Sequence, residues 1–125
     1  MRTAAAIEQA HRDAVTASIE EMAGFLQELL TRRLTAYITG VKDAKTVTRW
    51  STGEIAEIRN HDVEQRLRGT YEIVQLLLQA ESAQTTRAWF IGMNPQLDDS
   101  SPAEAIRNGN LKEAFAASRA FLVGG

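Results

Sequence analysis

Apolar residues recur along most of this chain at helical spacing, and nowhere do they alternate as in a half-buried strand. Val15, Ile19, Met22, Leu26 and Leu29 follow one another in steps of four, three, four and three, which draws one apolar stripe along a helix. Ser18 and Glu21 have the spacing of a capping box that starts a helix there; alternatively they lie on the surface of a longer helix begun near Thr3. The seam suits either the chain's own core or a partner helix, including one from a second copy. Thr31 then caps a short helix whose inward face is Leu34, Tyr37 and Ile38, closed by Gly40 in a left-handed turn. Asp43 caps a second short helix over residues 44–52, ended by Gly53. Asp62 opens a long helix through Ile73, Val74, Leu76, Leu77 and Leu78 to about Ala80. Ser82 caps the next, which carries Trp89 and Phe90. A turn follows over residues 92–99, Pro102 suits a first helical position, and a last helix runs over about 111–121.

The pattern predicts an all-α fold: a small helical bundle with a helix-turn-helix and a C-terminal helical hairpin. Both prolines, Pro95 and Pro102, lie past the midpoint, and strong helix formers dominate before them. At 125 residues the chain is one domain, or one domain with an appended segment. Its core is modest at that length, so burial in an oligomer is expected. The net charge of −2 excludes a globally basic nucleic-acid binder and confines any DNA surface to a local patch. The absence of cysteine excludes disulfides and thiolate metal sites. After Ile7 the charged and polar residues Glu8, His11, Arg12 and Asp13 follow at once, which argues against a signal peptide. No stretch approaches a membrane span, and a cytoplasmic location is the expectation.

The helices at 31–40 and 44–52 have the outline of a helix-turn-helix, or of a plain helical hairpin with a solvated basic face. In the second helix Val47 and Trp50 share a face and should pack on the first. The opposite face then holds Lys45, Thr48, Arg49 and Thr52. Arg forks onto guanine, Lys neutralises phosphate, and Thr meets a phosphate or a thymine methyl. Across residues 31–52 the cations Arg32, Arg33, Lys42, Lys45 and Arg49 face one acid, Asp43, a local balance of +4. These residues, with Thr48 and Thr52, are the DNA-binding candidates.

Candidate chemistry is otherwise sparse. His11 and His61 lie in different helical regions without a ligand set, so no metal site is expected. There is no phosphate-binding Gly loop or nucleophile elbow, and the adjacent Asp98 and Asp99 suit solvation of a loop rather than acid–base work. Neither an enzyme nor a cofactor is expected. Glu64 and Arg68 read as an ordinary i,i+4 helix pair.

Trp89 and Phe90 are adjacent, so a helix points them about 100° apart, one into the core and one to the surface. Trp89-Phe90-Ile91-Gly92-Met93-Asn94-Pro95-Gln96-Leu97, then Ser101-Pro102-Ala103-Glu104-Ala105-Ile106-Arg107-Asn108-Gly109, resembles the toxin-binding stretch of the Xre–MbcA–ParS group of bacterial antitoxins. The matching positions are Trp89, Asn94, Leu97, Pro102, Ile106 and Gly109. Thr46-Val47-Thr48-Arg49-Trp50-Ser51-Thr52-Gly53 is similar to the recognition helix of Xre-type regulators, with Arg-Trp followed by Gly three positions after the Trp. The resemblance covers roughly residues 20–125 and leaves 1–17 outside; Met93 stands where a proline is common, and Asp98-Asp99 replace a loop often containing glycine.

The resemblance implies residues 1–60 as an N-terminal helix and Xre-like helix-turn-helix region, and 61–125 as a toxin-binding region. It also implies a partner, a RES-domain toxin that consumes NAD, blocked sterically, with operator DNA as a second partner. A homodimer or a larger hetero-oligomer with the toxin is expected. The expected toxin contacts are Trp89, Asn94, Leu97, Pro102, Arg107, Phe121, Leu122 and Val123. The apolar end from Arg119 to Gly125 is the candidate plug of the toxin cleft; docking of Phe121 and Leu122 on the chain's own core is the alternative.

Overall fold

The computed structural model describes residues 2–124, and among them every regular element is helical. The helices are α1 (Arg2–Thr16), α2 (Ile19–Leu30), α3 (Arg32–Thr39), α4 (Lys45–Ser51), α5 (His61–Leu78), α6 (Ala83–Ile91), α7 (Pro102–Arg107) and α8 (Leu111–Leu122), with a 3₁₀ turn at Pro95–Leu97. The chain is thus the expected all-α bundle. Gly125, the last residue of the candidate plug, lies outside the described residues, as does Met1.

The long helix α5 is the hub. Leu67, Ile73, Val74, Leu76 and Leu77 are fully buried along it, and every other helix except α4 packs against it. One apolar cluster joins Met22 and Leu26 of α2, Ile38 of α3, Trp50 of α4, Phe90 of α6, Ile106 of α7 and Ala117 of α8. The core therefore runs without interruption across the boundary expected at residue 60. Helix α8 comes close to α5 where Gly69 has no side chain; a Cβ there would lie 2.5 Å from the Leu111 methyls.

The capping box forms. The Ser18 hydroxyl accepts from the Glu21 amide at 3.1 Å and the Glu21 carboxylate accepts from the Ser18 amide at 3.0 Å. It splits the stripe read from the sequence into two helices. Val15, on the far side of the break, is 61% exposed, whereas Met22, Ala23, Leu26 and Leu30 are buried. Helix α1 turns Ala10 and Ala14 inward instead and packs along α5.

Thr31 ends α2 and starts α3 at φ 80°, its hydroxyl accepting from the Leu34 amide at 3.2 Å. Gly40 closes α3 in the left-handed region as expected. Tyr37, expected inward, is 40% exposed. Thr35 and Thr39 take the inward positions, because their hydroxyls donate to helix carbonyls at 2.8 Å (Thr31) and 2.9 Å (Thr35) and leave only methyls to pack. Two other boundaries shift by a residue. The cap position of α4 is Ala44 rather than Asp43 and has no side-chain bond; the Asp43 carboxylate sits one residue earlier and accepts from the Lys45 amide at 2.9 Å. Asn60, not Asp62, caps α5 by accepting from the Val63 amide.

Candidate functional site

The turn at residues 40–44 carries α4 across α2, so Val47 and Trp50 are buried mainly against α2 and less against α3. The expected packing on the preceding helix is therefore only part of the contact. The unit is three-helical, with α2 as the floor beneath the helix-turn-helix pair α3–α4. Its outer face presents Arg32, Arg33, Lys42, Lys45, Arg49 and Thr52, all exposed. Among the described residues, Arg33, Lys42 and Lys45 have no acidic partner within ion-pair distance, whereas Arg49 Nε lies 3.6 Å from Glu54 Oε2.

Thr48 differs from its neighbours. It is half-buried; its hydroxyl donates to Gln27 Oε1 at 2.6 Å and accepts from Arg32 Nη1 at 3.3 Å. It joins α2, α3 and α4, and its hydrogen-bonding capacity is used inside the molecule rather than held out for a base. Thr52 donates to the Arg49 carbonyl at 3.2 Å. At the α4 C-terminus the Glu20 carboxylate sits 2.9 Å from where a Gly53 Cβ would be, and Glu54 follows next in the chain. The positive field therefore concentrates at the start of α3, the turn and the start of α4.

In the C-terminal half, both aromatics are inside. Trp89 is 9% exposed and Phe90 fully buried, packed edge to face with centroids 5.1 Å apart. The surface position expected for one of them does not exist, because α8 covers Trp89 with Phe121 at 6.4 Å. The Trp89 indole N–H is buried without a hydrogen-bond partner. Leu97, Pro102 and Ile106 are buried as well. Asn94 caps the 3₁₀ turn, its side chain accepting from the Gln96 amide and its carbonyl from Leu97 and Asp99. Asp98 and Asp99 occupy the left-handed region at φ 53° and 66°. Arg107 Nη1 donates to the Tyr37 carbonyl at 2.6 Å, and its guanidinium lies 4.6 Å over the Tyr37 ring.

Five of the expected toxin contacts, Trp89, Leu97, Pro102, Phe121 and Leu122, thus serve first to hold the hairpin together. Phe121 and Leu122 are half-buried against the core; only Val123 of that trio is well exposed, at 69%. Phe121 and Leu122 at the end of α8 are docked on the chain's own core rather than held out for a partner's cleft.

A groove of about 250 Å³ does open beside them, between α8 and the loop before the 3₁₀ turn. Trp89, Asn94, Pro95, Ala117 and Phe121 line it, and Met93, 78% exposed, forms part of its wall. Ile91, at the end of α6, is also exposed, at 61%. Neither Ile91 nor Met93 stands among the residues picked from sequence. Ile91 follows two aromatics on the same helix, and its outward direction follows once both of them are buried, which the sequence did not indicate. A larger groove of about 770 Å³ separates α1 from the ends of α5 and α8, lined by Ala6, Gln9, Arg12, Leu76, Gln79 and Leu122. Among the described residues no cluster of three metal-ligating side chains occurs, and no helix is long and apolar enough to cross a membrane.

Comparison with protein-family models, with curated proteins and with solved structures gives no match for this chain.

Proposed function

We propose that this protein is a cytoplasmic DNA-binding antitoxin: α3–α4 holds operator DNA, and the α6–α8 region covers a RES-domain toxin that degrades NAD. The observation that carries the proposal is the unshielded group Arg33, Lys42 and Lys45 on a short helix-turn-helix, in a chain whose net charge is −2. Cations so presented release counterions when they meet phosphates, which drives duplex binding. Arg49 joins them once Glu54 is displaced by the phosphate backbone. As a homodimer, or a larger hetero-oligomer with the toxin, two copies of α4 would enter major grooves about 34 Å apart.

The toxin half rests on the resemblance of residues 89–109 to the antitoxin family. The exposed apolar pair Ile91 and Met93, beside the Trp89 groove, supports a protein-binding surface there. No bond chemistry is needed, since a helical body seated on the toxin mouth keeps NAD out by volume. With Phe121 and Leu122 committed to the core, the inserting part of the tail reduces to Val123 and beyond, and most of the cover comes from the groove rim.

Co-expression with a RES-domain reading frame beside the gene tests this. The chain should preserve growth and NAD, Met93→Asp should lose protection, and its promoter binding should stay unchanged. Protection retained by Met93→Asp would remove the groove from the interface, and a toxic partner left unaffected by the wild-type chain would end the antitoxin reading. Burial of Trp89, Leu97 and Pro102 favours a second reading, a stand-alone regulator whose C-terminal region only dimerises. It requires promoter binding with no toxin partner.

A further inference from the structure

Helices α1, α2 and α3 have no basic residue in their last turns. Each leaves carbonyl groups and a partial negative charge at its C-terminal end without a cation of its own. In every case a guanidinium from the second half of the chain supplies it. Arg68 Nη1 donates to the Ala14 and Ala17 carbonyls at 2.6 and 3.0 Å, at the end of α1. Arg87 Nε donates to Leu29 at 2.7 Å, at the end of α2. Arg66 Nη1 and Arg107 Nη1 donate to Thr39 and Tyr37 at 3.2 and 2.6 Å, at the end of α3. Four of the five arginines beyond residue 60 are used in this way.

The two that hold α3 differ in setting. Arg66 is half-buried against Gly40, where a Cβ would meet its Nη1 at 3.2 Å. Arg107 is exposed, with its guanidinium carbon 4.6 Å from the Tyr37 ring centroid. A point cation cannot do the latter job as well, because the planar fork meets the ring while its N–H meets the carbonyl.

We infer that Arg107, together with Arg66 and Arg87, is a positioning residue for the helix-turn-helix. These arginines fix the C-terminal ends of α2 and α3 from α5, α6 and α7, and so set the angle at which the cationic face is offered to a duplex. The inference rests on the DNA-binding reading for its consequence, and on the carbonyl contacts alone for the clamp itself. Arg107 acts through α3 and does not touch nucleic acid.

The full chain carrying Arg107→Ala is compared with wild type in two ways. Amide exchange of the last turn of α3 should quicken at least tenfold, with amides of α5 unchanged. Affinity for a duplex from the chain's own promoter should fall roughly tenfold, while the slope of log affinity against log salt stays that of wild type, because no phosphate contact is lost. Arg107→Lys should restore part of the exchange protection. A slope reduced by about one would make Arg107 a phosphate contact and overturn the positioning role. Unchanged exchange in α3 would overturn the clamp. If the wild-type chain binds no duplex, the DNA reading fails by itself, and the exchange measurement still decides the clamp.

Discussion

The basic face of α3–α4 and the hairpin of α6–α7 were both read from short motifs, yet the two motifs record different things. In the first, the cations that suggested a function are the ones presented to solvent, while Thr48 is turned to inner partners and Val47 and Trp50 anchor the helix from beneath. In the second, the side chains that carry the family resemblance are themselves the anchors: Trp89, Leu97, Pro102 and Ile106 are all inside. A motif of cations on one helical face reports on a surface. A motif of aromatics, prolines and aliphatics at turn spacings reports first on how a loop folds, and the surface such a loop offers is made by the neighbours, here Ile91 and Met93.

That contrast can be broken by mutation, and the largest effects belong to the hairpin. Ile106→Ala removes a fully buried side chain and should cost about 2–5 kcal/mol of unfolding free energy, read by urea denaturation. Loss of partner binding in that variant would then follow from unfolding. Gly69→Ala should come next, at about 1–3 kcal/mol, since Leu111 must move to admit the methyl. Met93→Ala and Ile91→Ala should change stability by no more than about 0.5 kcal/mol, so a drop in binding of the proposed toxin partner by either, measured by calorimetry, would locate the interface directly. A large stability loss in these two would place them inside rather than outside.

The smallest effect concerns the start of α2. Hydrogen bonds from Ser18, its backbone N–H first and its side chain second, hold the Glu21 carboxyl below the usual carboxylate range. Its contribution is complete above the unfolded value near 4.5 and fades as pH falls through the lower folded value. Glu21→Gln should therefore lower stability slightly at neutral pH, leave it unchanged at strongly acid pH, and so flatten the acid limb of the profile. An acid limb identical to wild type would show that the box is not closed in solution.

The caps at Thr31 and Ser82 and the left-handed Gly40 were legible because each rests on a local side-chain or backbone preference that spacing announces. Three features were not. The break at Ala17 and Ser18 competed with an unbroken apolar period, and only the closed capping box decides between them. Tyr37 and Thr35 exchange places on α3 because threonine can return its hydroxyl to the helix, which makes a polar residue cheap to bury. Thr48 and Arg107 are fixed by partners 21 and 70 residues away, and no local pattern announces a bond of that span. The same distance hides the arginines that hold α2 and α3.

The central claim, that α3–α4 grips a duplex through exposed cations, is tested most directly by the salt dependence of binding to the promoter of the chain's own gene. Wild type is compared with the triple variant Arg33→Ala, Lys42→Ala and Lys45→Ala. Weaker binding, a salt slope lower by about 0.9 for each lost phosphate contact and an unaltered melting temperature are expected. An identical slope in the two proteins would contradict it.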